Sequence, residues 1–243
     1  MTVFALSLAG LAVAATFSPA RLSSGATPAQ PVNAVGWGQA SAELAIGVDG
    51  SVLEVKPLGA TGPFMDLLVE AARGWQFTPA REDDTTTGTH VLVAGIFRPP
   101  ELMAAAPSES FAAPSVSPAV PRPTKLVPPY YPPTAVGDGV AVVEVHVDAT
   151  GRGDELSVVR SGGAFDSPAL DAAREWRFQP ATRDGAAVPA YVYLVFGFRQ
   201  PVVVVKIGRW ALGLEPQVAG RQSPVLEDRA NDRAQGAGRR VGW

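Results

Sequence analysis

The stretch Ala172-Ala173-Arg174-Glu175-Trp176-Arg177-Phe178-Gln179-Pro180-Ala181 decides the reading, because its pattern has already occurred once in the chain. Ala71-Ala72-Arg73-Gly74-Trp75-Gln76-Phe77-Thr78-Pro79-Ala80 carries the same Trp, Phe and Pro 101 residues earlier. Working outward at that spacing, identical residues continue without a gap: Ala34/Ala135, Val35/Val136, Gly36/Gly137, Gly38/Gly139, Glu43/Glu144, Gly50/Gly151, Gly62/Gly163 and Phe64/Phe165. The correspondence ends with Phe97-Arg98 against Phe198-Arg199. Order kept over roughly 67 positions, in turns as well as core, exceeds what composition supplies by chance. A solenoid needs at least three short repeats, so two long copies predict two domains.

Each copy reads as strand, strand, helix, strand. In the second, Val143, Val145 and Val147 alternate with Val142, Glu144 and His146, the period of a half-buried strand. Asp148-Ala149-Thr150-Gly151 is a turn, and a second strand follows around Leu156–Arg160. Ser161-Gly162-Gly163 breaks it, Asp166 or Ser167 caps a helix, and Pro168 suits its first turn. Leu170, Ala173 and Trp176 fall near one helical face, which aims Trp176, and by correspondence Trp75, at the core. After the Asp184-Gly185 turn, Val192, Leu194, Phe196 and Phe198 line one face of a third strand, with Tyr191, Tyr193 and Val195 on the other. The expected class is therefore α+β: two ββαβ units, each a three-stranded antiparallel sheet with a helix on one face. A sheet of that size leaves edge strands with unpaired backbone groups, which also offers a route to a homodimer.

The segments around the copies differ in composition. Val3–Phe17 is apolar and uncharged, too short to span a bilayer as a helix, and reads with residues 1–20 as a signal peptide or short N-terminal anchor. Ala12-Val13-Ala14 and Ser18-Pro19-Ala20 offer cleavage sites. Residues 21–33 read as a linker, 34–100 as the first domain, and 101–128 as a Pro-rich semi-rigid linker. The second domain covers 129–201, and 202–243 is an Arg- and Gly-rich tail expected to be mostly disordered.

With 20 Lys and Arg against 23 Asp and Glu, the chain has no electrostatic footprint for nucleic acid. It has no Cys and two His, His90 and His146, which removes disulfides, thiolate chemistry and His-rich metal centres, so no metal and no cofactor are expected. His146, Ser161 and Asp166 could be drawn as a triad, yet no nucleophile-elbow sequence surrounds Ser161, and no enzyme is expected.

The second copy combines Tyr131-Pro132-Pro133, the Val-rich strand, Ser161-Gly162-Gly163, Phe165-Asp166, Ala169-Leu170, Ala172-Ala173, Trp176-Arg177-Phe178, Pro180-Ala181 and Phe196-x-Phe198. In this it resembles the C-terminal domain of the TonB family of energy transducers over about Pro129–Pro201. The first copy looks like a degenerate version, with Gly95 where the second has Phe196 and no Tyr-Pro segment. The resemblance implies a non-enzymatic periplasmic protein that binds outer-membrane TonB-dependent receptors, whose TonB-box peptide adds to an edge strand, in receptor-linked transport. Carried over, the pairing edge is Tyr191–Arg199, through Tyr191, Tyr193, Val195, Gly197 and Arg199, with Tyr130, Tyr131 and Pro132 beside the docking groove. It also brings in the ExbB–ExbD inner-membrane complex as a partner, although Val3–Phe17 lacks the His through which a TonB anchor couples to it. The alternative is a periplasmic structural or scaffold module of TonB-type folds without that motor.

Overall fold

The computed structural model describes residues 16–31, 37–61, 63–99 and 117–201. The apolar segment up to residue 15, most of the Pro-rich linker and the tail from 202 lie outside the described residues. In chain order the first half holds β1 (Phe17–Ser18), β2 (Arg21–Ser24), β3 (Gly38–Ile46), β4 (Val52–Thr61), α1 (Met65–Arg73), β5 (Gln76–Thr78), β6 (Ala80–Glu82), β7 (Thr85–Thr87) and β8 (Thr89–Phe97). The second half holds β9 (Arg122–Lys125), β10 (Gly139–Val147), β11 (Gly153–Arg160), a 3-10 turn (Gly163–Phe165), α2 (Asp166–Glu175), β12 (Arg177–Gln179), β13 (Ala181–Arg183), β14 (Ala186–Val188) and β15 (Ala190–Phe198). The α+β class is as the periodicities predict, with two short helices among the described residues.

The assembly of the strands is not as predicted. Instead of two separate three-stranded sheets there is one six-stranded sheet in the order β11-β10-β15-β8-β3-β4. Its halves meet where β15 runs parallel to β8, with Tyr193 opposite Val93 and Val195 opposite Gly95. The expectation of an edge at Tyr191–Arg199 is thereby corrected: β15 pairs with β10 on one side and β8 on the other, and the outer strands are β4 and β11. The physical reason lies in the side chains. β15 is apolar on both faces, and a strand of that kind gains most when a neighbour and a helix layer cover each face.

Two cores result, one on each face. On one face α2 packs Ala169, Ala172 and Ala173 with Trp176 over Val143, Val145, Val147, Val192, Leu194 and Phe196, and over Leu92, Ala94 and Ile96 from the first half. On the opposite face α1 brings Leu68 and Ala72 with Trp75 over Val91, Val93 and Phe97, and over Val142, Tyr193 and Val195 from the second half. Each core thus draws strand residues from both halves. The halves lie as a half-turn about an axis between β8 and β15 would place them.

The linkers are also partly structured. β2 pairs with β5 and β9 with β12, each strap passing beside the tryptophan that follows the helix of its own half. Trp75 Nε1 donates to Ala26 O at 2.8 Å, and Trp176 Nε1 donates to Val127 O at 3.0 Å. Residues 21–24 and 122–125, predicted as linker, are therefore strands. Ala20, at an expected cleavage site, is buried. Propensity reasoning misses such pieces because a four-residue strand needs only one partner and carries almost no periodicity. Glycines fix the turn that each strap-bound strand closes on. Gly50 and Gly151 have φ of 81° and 84°, and their carbonyls accept Phe77 N–H at 2.8 Å and Phe178 N–H at 3.0 Å. A Cβ there would run into those Phe carbonyls as well as strain the backbone.

Candidate functional site

A glutamate stands in the middle of the apolar β10, and its burial organises the region around β15. Glu144 is 2% exposed, on the face that α1 covers. Arg21, from β2 of the other half, places Nε and Nη2 each 2.8 Å from Glu144 Oε1. The Tyr193 hydroxyl donates to Oε2 at 2.9 Å and accepts the backbone N–H of Leu22 at 2.6 Å. The buried carboxylate is thus paired and hydrogen-bonded, the condition under which such a charge is tolerated. Burial, then the neighbouring carboxylate, pushes the Tyr193 hydroxyl far above its ordinary value. The hydrogen bond to Glu144 raises Arg21 further. This network straps the first half to the second and was not predicted. Its signal was available: a Glu amid valines at 144, recurring as Glu43.

Glu43 meets the same need differently. It is 3% exposed, with His90 Nδ1 2.9 Å from Oε1 and the Ser117 N–H donating to Oε2 at 3.3 Å. His90 is half exposed and tied to this carboxylate.

The residues expected to bind a partner fall into separate places. Tyr193 and Val195 are fully buried. Tyr191 is half-buried under the Arg21 guanidinium, 5.4 Å from its ring, with its hydroxyl raised chiefly by burial. Gly197 gives its carbonyl to the Arg98 N–H of the first half at 2.8 Å. Arg199 pairs with Asp138 and donates to Pro31 O. Tyr131 and Pro132 pack against the fold, the Tyr131 hydroxyl donating to Gly137 O at 2.8 Å and its ring lying 5.5 Å from that of Phe165. Tyr130 is the one of this set more than half exposed, at 51%.

His146 is paired with Asp154 at 2.7 Å, while the Ser161 hydroxyl donates to Asp166 at 2.6 Å, so the three residues drawn as a triad are split between two pairs. Asp166 also accepts the Gly162 N–H at 2.6 Å, which fixes the turn ahead of α2. Among the described residues no three His, Asp or Glu side chains gather as metal ligands, and no helix is long and apolar enough to cross a membrane.

A β-rich module with straps, paired charges and two tryptophan-centred cores is the class that this geometry defines. Residues 127–199, most of the second half, match the family described as Gram-negative bacterial TonB protein C-terminal. No curated protein matches the chain.

Proposed function

We propose that this protein is a non-enzymatic periplasmic scaffold of TonB type, in which a degenerate first copy holds the third strand of the TonB C-terminal domain and the pair presents a fixed surface to partner proteins. The observation that carries this reading is the pairing of β15 on both sides, which leaves it no free row of N–H and C=O groups. The remaining outer strands are blunted in the way soluble proteins protect edges: β4 contains Glu54, Lys56 and Pro57, and β11 contains Asp154 and Glu155. Export, through a cleaved signal or an anchor N-terminal to β1, belongs to the same reading.

Receptor docking in transport is the second reading, favoured by the TonB match through 127–199 and by the exposed Tyr130 within it. Titration of the full chain with TonB-box peptides at millimolar concentration, followed by NMR, separates the two. The scaffold reading expects no change at the amides of residues 190–198. Release of β8 resonances, with a peptide taking their place beside β15, would establish receptor docking at that strand instead.

A further inference from the structure

β8 and β15 lie side by side, yet the two strands are bonded to each other only from Leu92 and Val192 onward. Before that point each already pairs with its other neighbour, Thr89 with Ile46 and Ala190 with Val147. The sheet is therefore split along its middle at this end, and the split opens into a cavity of about 120 Å³. Equivalent residues of the two halves line it in pairs: Gly88 and Pro189, Thr89 and Ala190, His90 and Tyr191. Junctions of this kind, between two structural units, are preferred places for small-ligand sites.

The cavity combines an apolar interior with one fixed charge. Ala20, Val91 and Ala190 are buried and still border it, so they form its floor, with Phe17 and Pro189 as walls. An apolar cavity of about 150 Å³ holds benzene. A volume of about 120 Å³, partly open to solvent, has room for a single ring. Arg183 supplies the charge, its guanidinium lying over the Phe17 ring, 5.0 Å from the centroid. Its Nη2 donates to Glu82 Oε2 at 2.7 Å, the one acceptor bonded to Arg183 among the described residues. Both partners are partly exposed, a setting in which an ion pair holds weakly, and the other donors of the guanidinium fork are unspent. Glu82 itself does not line the cavity, whose lining holds no carboxylate to oppose a bound anion.

We infer that this cavity is a binding site for a small carboxylic acid whose apolar part is a single ring, the ring seated on the Ala20–Val91–Ala190 floor and the carboxylate on Arg183. The test titrates the full isotope-labelled chain at low salt with phenylacetate, with its neutral counterpart phenylacetamide, and with acetate, which has the charge without the ring. Binding is read from the amide resonances of residues 88–91 and 190–191. Phenylacetate should give saturable shifts at millimolar concentration and bind about tenfold tighter than phenylacetamide, the difference a charge-assisted bond makes. Acetate should give no saturable shift. Arg183→Gln loses only a partly exposed ion pair, so its circular dichroism should be unchanged, and it should bind phenylacetate no better than phenylacetamide. Equal binding of the two ring compounds by the wild-type chain, a phenylacetate preference that survives in Arg183→Gln, or no saturable shift at these amides would overturn the assignment.

Discussion

The indole of Trp75 stands edge-on to the ring of Tyr193, with centroids 6.1 Å apart, across the boundary between the two halves. Trp176 makes the corresponding contact with Phe196, from its own half, at 6.0 Å. The difference follows from one substitution. Where the second half has Phe196 the first has Gly95, and the aromatic surface against Trp75 is supplied by the neighbouring strand of the other half. The first core is therefore completed by residues of the second half.

A core shared in this way should melt as one. Unfolding of residues 16–201 in urea, followed by far-UV circular dichroism and by tryptophan fluorescence, should give one coincident transition. Trp75→Ala and Trp176→Ala should each lower it, by about 3–5 kcal/mol, the usual cost of truncating a buried aromatic. Two separated transitions, each sensitive to one tryptophan only, would mean that the halves fold independently.

That outcome is the one the sequence by itself suggests, and the reason is instructive. The alternation of Val142–Val147, the turn at Gly151 and the helix ending at Trp176 are local, and each is present as read. Which strand becomes an edge is not local. Val195 and Tyr193 face away from the α2 core as the period-two pattern requires, but the α1 core of the other half, not solvent, lies beyond them. The straps at 21–24 and 122–125 were illegible for a related reason: Leu22, Val120 and Leu126 are isolated apolar residues in Pro- and Ser-rich sequence. At the candidate site, Tyr130 was placed beside a docking groove through the resemblance alone, whereas the Arg21–Glu144–Tyr193 network joins residues up to 172 positions apart in the chain and leaves only the buried glutamate as a trace.

Tyr193→Phe removes one hydroxyl and keeps the ring. It leaves the Leu22 N–H and one oxygen of Glu144 without their partner, and should cost about 1–3 kcal/mol. Arg21→Gln should cost a similar ~1–3 kcal/mol, held down by the solvent exposure of Arg21. A change below about 0.5 kcal/mol in either, measured by chemical denaturation, would show that the strap is not held by this network.

Tyr193 also sets an alkaline limit. Burial first, then Glu144, holds its hydroxyl pKa above the ordinary 10.0. The native state therefore keeps a proton that the unfolded chain releases. Stability is fully present below pH 10 and falls as the pH rises beyond it. In Tyr193→Phe the alkaline slope should flatten, and an unchanged slope would assign the loss to other groups.

Val195→Pro distinguishes an inner strand from an edge. Within β15 every N–H faces a neighbouring strand, so the substitution deletes a ladder bond and should abolish the cooperative transition altogether. Pro57 in β4 shows the tolerance of an outer strand for the same residue. A Val195→Pro chain that still unfolds cooperatively with near wild-type circular dichroism would place β15 at an edge.

Amide hydrogen exchange along β15 tests the joining of the two halves most directly. Successive N–H groups of a strand point to opposite sides, so a strand paired with β10 alone would protect every second amide. Pairing with both β10 and β8 predicts that consecutive amides from Val192 to Gly197 exchange slowly, all at the rate of the global unfolding event. Fast exchange at alternate residues between 192 and 197, with the others protected, would contradict the six-stranded sheet and the account built on it.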